Sequence, residues 1–391
     1  MLHLVKIPML ALVMAGIAVS GAEPAPPEPG PAAAPAPKAA AKRQVVPDLH
    51  FVPRSEFEQH FAVLKERLQG QGVAKVDPAM KIERTEQFDG FTRQTVSYNV
   101  EAGERVEGFL LIPDGLKAGE KRPLVLCLHG TNIYGKDAAV FDYANPDYRT
   151  PDAEEMRKRK NRAFGYDLVR RGFICFAPDR PGFGKRSPVQ PATGIPGMKA
   201  YEKLLAESRP GWSYNHGKAI HDLGQALDFL VLLPEVDAGN IGTIGHSLGG
   251  RDSMEIIAFD PRVKAAVVSC GGALRYREEL WTSTEEQRKY ATGDDINGQA
   301  NNMNFFMQSA APRPVLVMLA LNDYLTDYPK NLIDGMRPIK MYYDFLLGGP
   351  KELEKRGLFS ILVHTNGHDA PFEVRAYAYE WLERQLMGQI K

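Results

Sequence analysis

The chain has 391 residues, 44% of them hydrophobic and 25% charged, and its 48 basic side chains balance 48 acidic ones. That is an ordinary soluble composition, long enough for one large α/β domain. With no basic excess and no clustered Lys/Arg face, nucleic acid is excluded as an expected partner. At the amino terminus Lys6 precedes a nearly unbroken apolar run, Ile7 to Val19, and then the small residues Ser20-Gly21-Ala22. Such a run is too short for a hydrocarbon core of about 30 Å, so residues 1–22 read as an export signal rather than a membrane span. Once it is removed, no stable membrane insertion is expected, and the location is secreted or periplasmic. Residues 23–47, including EPAPPEPGPAAAPAPKAAAK, are too rich in Pro and Ala to bury a core and predict an extended tether. Residues 48–391 then form a single domain with an N-terminal helical extension.

Phe57, Phe61, Leu64 and Leu68 fall at helical spacing. Strands are predicted over Thr92–Val100 and Arg105–Ile112, joined by a turn at Glu101-Ala-Gly103-Glu. From Pro123 the rhythm changes. Short apolar runs appear at Leu124–Leu128, Phe173–Phe176, Ile241–Ile244, Val263–Val268, Val315–Leu319 and Phe359–Val363, most of them separated by helical patterns such as Ile220, Leu223, Leu227 and Leu230. Apolar strands alternating with helices predict a mainly parallel twisted sheet of about eight strands, covered on both faces. Ligands in such sheets sit beyond the carboxyl ends of the strands. Three long connections, Thr131–Arg162, Lys185–Gly217 and Gly271–Pro312, leave those ends. Trp212, Trp281, Tyr134 and Tyr143 fall within them and are expected to pack the loops onto the body. Cys127, Cys175 and Cys270 lie in or at the end of apolar runs, in odd number and without zinc-site spacing, so they read as buried small hydrophobes.

Gly245-His246-Ser247-Leu248-Gly249 follows the run Ile241–Ile244 and precedes a helical pattern with Met254, Ile256, Ile257 and Phe259. A serine flanked by glycines between strand and helix fits a sharp turn that lifts its hydroxyl above the sheet. A hydroxyl needs a base, and the base needs an orienting acid. His368, in Gly367-His368-Asp369 after the last strand, is the expected base; His364 is still at the strand and reads as structural. Asp323, where the chain leaves Val315–Leu319, is the favoured acid, with Asp327 one turn later and Glu278 and Glu279 as outside candidates. The Leu124–Leu128 run ends in His129-Gly130-Thr131, so the backbone N–H of Thr131, with that of Leu248, is expected to meet a developing oxyanion. His246 is expected to point away from Ser247. Asp179 and the glycines of Pro181-Gly182-Phe183-Gly184 read as loop-shaping.

On these residues the chain resembles the α/β-hydrolase superfamily over roughly Val96 to Leu386. The resemblance rests on His129-Gly130, on APDRPGFGKRS at Ala177–Ser187, on GHSLGG and on the closing GHD. Within it, PEVDAGNIG before the elbow and DPRVKAAV after it resemble the dienelactone-hydrolase-like, acetyl-xylan-esterase-like and prolyl-oligopeptidase-like groups. The resemblance implies Ser247, Asp323 and His368 as a triad, with Thr131 and Leu248 as oxyanion donors. There are two departures. The acid is preceded by Ala320-Leu321-Asn322 where many relatives have a GxxD pattern, and dienelactone hydrolases themselves use a cysteine where Ser247 stands. The implied function is an exported serine hydrolase cleaving carboxylic esters, of small molecules or acetylated carbohydrate, with no metal or organic cofactor required. A prolyl-oligopeptidase-like peptidase is the second enzyme reading, though residues 48–95 leave no room for a propeller. A binding protein on a hydrolase scaffold is the non-enzymatic one.

Overall fold

The computed structural model describes residues 73–141, 160–190, 194–208, 215–271, 303–323 and 358–388, with a few isolated positions besides. The predicted signal, the tether and nearly all of the Phe57–Leu68 helix lie outside them. Much of each long connection also does, together with Asp327, Glu278, Glu279, Trp212, Trp281 and Tyr143. Among the described residues no helix is long and apolar enough to cross a membrane.

Among the described residues there are nine strands: β1 (Lys81–Phe88), β2 (Phe91–Glu101), β3 (Glu104–Pro113), β4 (Arg122–Leu128), β5 (Ile174–Pro178), β6 (Val236–His246), β7 (Val263–Ser269), β8 (Val315–Ala320) and β9 (Phe359–His364). They form one sheet in the order β1-β2-β3-β5-β4-β6-β7-β8-β9. The first three are an antiparallel meander, and β3 meets β5 antiparallel; from β5 to β9 every pair is parallel. The sheet therefore has one strand beyond the expected eight. β1 reads KIERTEQF, an exposed edge strand with no apolar run to announce it. It is held by polar pairs across the ladder, among them Glu86 with Arg93 at 2.9 Å.

Alternate residues of the inner strands feed two cores. Leu124, Leu126 and Leu128 of β4 join the helices Asn215–Leu230, Leu248–Phe259 and Met303–Ala310 on one face. Val125 and Cys127 join Phe164–Val169 and Phe372–Leu386 on the other. Each fully buried Val, Leu, Ile or Phe contributes about 1.5–3 kcal/mol, so a strand apolar on both sides has one stable place, between two layers.

Buried charges fasten the antiparallel meander to this body. Lys218 is fully buried, with Glu101 at 3.0 Å, Glu104 at 3.1 Å and Asp222 at 2.5 Å. Arg186 reaches Glu104 and Asp222, each at 2.7 Å. Removing one member of such a group would leave uncompensated buried charge, a cost of about 3–5 kcal/mol. The parallel order brings the carboxyl ends of β4, β6, β7, β8 and β9 side by side at one edge, where the predicted site residues fall.

Candidate active site

Ser247 sits at the corner between β6 and the helix Leu248–Phe259, with φ 58° and ψ −120°. A positive φ is strained for a side chain with a Cβ and costs about 1–3 kcal/mol, so the surroundings must impose it. The flanking glycines show how. A Cβ on Gly245 would lie 2.2 Å from the carbonyl oxygen of Gly249, and one on Gly249 would lie 2.1 Å from that of Leu128. Strand, turn and helix are packed backbone against backbone. The Ser247 N–H donates to the Ser269 carbonyl at 2.8 Å, and the Ser247 carbonyl accepts from the Arg251 N–H at 3.0 Å. Leu248 is the first residue of the helix, so its N–H has no partner within that helix.

The end of β4 lies against this corner. A Cβ on Gly130 would come within 2.7 Å of the His246 carbonyl and 3.3 Å of the Ser247 Cβ. The Gly130 carbonyl accepts from the Asn132 side chain at 2.7 Å, whose own oxygen accepts from the Tyr134 N–H at 2.7 Å. Behind it, burial holds His129 below the usual imidazole range, and its Nε2 accepts from the Arg180 N–H at 3.1 Å. Asp179 clamps the two neighbouring loops, accepting from the Lys136 N–H at 2.8 Å, the Lys136 Nζ at 2.7 Å and the Lys185 N–H at 3.3 Å. Gly135 and Gly184, with φ of 59° and 52°, bring backbone up to that carboxylate. The Thr131 peptide is thus held in a braced loop beside the serine.

The base side is built differently. His368 donates from Nδ1 to the Asp323 carboxylate at 2.7 Å, and the Asp323 side chain is fully buried. A proton at Nδ1 leaves Nε2 with the lone pair. Arg162 donates from Nη2 to the His368 carbonyl at 2.9 Å, and its Nε lies 3.8 Å from Asp369. Asn161 donates to the other Asp369 oxygen at 2.6 Å, and the Asn322 amide donates to the Thr365 carbonyl. Asp323 and His368 are brought together, and His246, the residue before Ser247, has its ring centroid 4.6 Å from that of His368.

Several participants carried no signal in the sequence. Arg162 and Asn161 come from more than two hundred residues earlier in the chain, and only docking of their turn reveals them. His246 is buried, packs on His368 and meets the Ser269 hydroxyl at 2.9 Å through Nδ1. Burial holds its imidazole well below the usual range, so it is neutral at neutral pH. Cys270, read as a small hydrophobe, has φ 44°, and its Sγ lies within 4.8 Å of donor atoms of both Asp323 and His368. Beneath the serine helix, His216 rests 3.5 Å from Asp252 and 3.3 Å from Glu255. Burial alone would raise the Asp252 carboxyl, but Arg180 and His216 outweigh it and hold the group at about 2. Arg180 at 2.7 Å and Arg251 at 2.9 Å already answer these two carboxylates, so the cluster anchors the helix by ion pairs. His364 is buried as a strand-end residue, with burial lowering its titration. All three cysteines are free and buried.

A small cavity beside Gly130 is lined by Asn132, Arg162, Phe164 and His246. A protein of Bacillus subtilis (strain 168) that carries the provisional name hydrolase YtaP is 26% identical over 229 residues, covering 58% of this chain and 70% of its own. Among solved structures, a glucuronoyl esterase from Solibacter usitatus superposes with a TM-score of 0.60 at 18% identity, covering 84% of this chain and 91% of that one. A provisionally named acetyl xylan esterase from Bacteroides fragilis NCTC 9343 gives 0.57 at 18% identity, covering 80% and 76%. At such identities these structures share the fold. The profile of the alpha/beta hydrolase family matches residues 125–388, a stretch that contains the elbow, the Asp323–His368 pair and the braced β4 loop. With that match spanning well over half of its length, the chain belongs to the alpha/beta hydrolase family.

Proposed function

We propose that this protein is an exported serine esterase, with Ser247 as nucleophile, His368 as general base, Asp323 as the acid that orients it, and the N–H groups of Thr131 and Leu248 as oxyanion donors. His368 takes the proton of Ser247 as its Oγ attacks the ester carbonyl. The carbonyl oxygen becomes an oxyanion, and the two N–H groups stabilise it. The imidazolium then gives its proton to the departing alcohol, leaving an acyl-enzyme. Water, deprotonated by His368, attacks that acyl group; the acid leaves and Ser247 recovers its proton. Asp323 keeps the imidazole in one tautomer and balances its cation through the cycle.

The observation that carries this reading is the strained φ of 58° at Ser247, imposed beside the 2.7 Å His368–Asp323 pair. Backbone strain at a half-buried corner beside an acid–base couple is what nucleophilic catalysis requires of a serine. Small or carbohydrate esters are the proposed substrates. The exported location rests on the apolar run Ile7–Val19, and the names of the structural neighbours, a glucuronoyl esterase and an acetyl xylan esterase, are compatible with it. The test is hydrolysis of p-nitrophenyl esters of increasing acyl length, beside acetylated xylan, by the protein and by Ser247→Ala. Turnover that falls by about 10³-fold or more in the variant is expected. Equal turnover in the two proteins would remove the nucleophile from the account.

A further inference from the structure

Among the described residues three non-glycine residues have a positive φ, Ala79, Ser247 and Cys270, and the last two stand at the carboxyl ends of adjacent strands. Ser247 follows β6 with φ 58°, and Cys270 follows β7 with φ 44°. The first has a role in the reading above, while the second has none. The Cys270 N–H donates to the Met318 carbonyl at 2.9 Å, which extends the β7–β8 ladder past its end and turns the side chain toward Asp323. The Sγ, the Asp323 carboxylate and a His368 ring nitrogen lie within 4.8 Å of one another. The Asp323 carboxylate is therefore the charged group that the thiol faces, and Ser269 is its neighbour along the chain. Ser269 in turn lies 2.9 Å from Nδ1 of His246, whose ring packs on that of His368.

Cys270 thus shares one cluster with the Asp323–His368 pair, and His246 packs on His368 from the side of Ser269. We propose that Cys270 is a positioning residue for the hydrolytic reaction, its S–H donating to the Asp323 carboxylate and so fixing both the angle and the strength of the Asp323–His368 bond. This rests on the serine-esterase reading and deepens it. Burial and the neighbouring Asp323 charge push the thiol up to about 12, so it stays protonated and can only donate to that carboxylate. A protonated, buried thiol is also a poor nucleophile, which separates this role from covalent chemistry at sulfur.

The charged and titratable groups around His368 set the direction of the effect. Asp323 comes from the end of β8, Cys270 from the end of β7, neutral His246 from β6, Arg162 from its own turn, and Asp369 and His364 from the β9 end. An S–H donor neutralises part of the Asp323 charge. Without it the carboxylate holds the imidazolium more tightly, so the base stays protonated to higher pH. The acid limb of kcat/KM then moves upward.

The experiment compares the full chain with Cys270→Ala, Cys270→Ser and Ser247→Ala on a p-nitrophenyl ester across pH. Cys270→Ala is expected to lower kcat about tenfold with KM nearly unchanged, and to move the acid limb up by about half a unit. Cys270→Ser, which keeps a donor, is expected to restore both. A Cys270→Ala protein with unchanged kcat and limb overturns the inference, as does a Cys270→Ser protein impaired as deeply as Cys270→Ala. If Cys270→Ala fails to fold, the infrared S–H band lost in Cys270→Ser decides. It should lie below the remaining bands of Cys127 and Cys175, whose thiols face no carboxylate among the described residues and make contacts of 3.7 and 4.0 Å to carbonyls. A Cys270 band at or above those overturns the proposal. A dead Ser247→Ala with unaffected Cys270 variants refutes this inference alone; an active Ser247→Ala refutes the esterase reading and this inference together.

Discussion

The Ser247 corner and the His368 loop meet at one edge of the sheet, yet they are held by different physics. The corner around Ser247 is fixed by main chain: glycine against carbonyl, with no room for a methyl group and no side-chain cap on the helix it starts. The loop carrying His368 is fixed by side chains instead, with hydrogen bonds involving Asp323, Arg162, Asn161 and Asn322 and an ion pair between Arg162 and Asp369. A backbone-held element tolerates no added volume but is indifferent to charge and pH. A side-chain-held element tolerates volume and responds to charge. In the proposed mechanism the nucleophile must project from a rigid point, whereas the base must take and give a proton, so the division suits the two tasks.

Two substitutions break the comparison in order of severity. Gly249→Ala should do the greatest damage. Its Cβ would stand 2.1 Å from the Leu128 carbonyl oxygen, and backbone on both sides cannot yield. We expect a loss of about 3 kcal/mol or more, read as a lower urea midpoint or as failure to accumulate soluble protein. A Gly249→Ala protein as stable as the parent would show that the corner is looser than its contacts imply. Asp323→Asn should leave stability nearly intact and act on the chemistry, because the amide can still accept from or donate to the ring at similar volume. Presented with its N–H₂, it selects the wrong tautomer of His368, and kcat should fall about 10³–10⁴-fold. A fall of less than about tenfold would move the acid elsewhere, with Asp327 next to be tested.

The contrast also explains what could be read in the sequence. Strands β4 to β8 were legible because burial on both faces leaves continuous apolar runs, and Ser247 was legible because its glycines are demanded locally, within five residues. Asp323 and His368 could be placed by position, each following a strand that ends at the same edge. β1 could not be placed, since its exposed residues KIERTEQF carry no burial signal. Arg162 and Asn161 could not either, because nothing near them in sequence shows that their turn docks on Asp369. Cys270 was legible only as apolar. The run Val267-Val268-Ser269-Cys270 predicts a buried thiol correctly, but the carboxylate beside it arrives from another strand. Backbone-determined features are local and therefore visible, while side-chain-determined ones become visible only once the chain is folded.

The most direct measurement is a crystal structure of the protein after reaction with a fluorophosphonate. The account predicts phosphorus bonded to the Ser247 Oγ, its free oxygen facing the N–H groups of Thr131 and Leu248, and Nε2 of His368 within hydrogen-bond reach of the modified serine, about 3.5 Å or less. An unmodified Ser247, or a phosphonate whose oxygen turns away from both N–H groups with the imidazole out of reach, would contradict it.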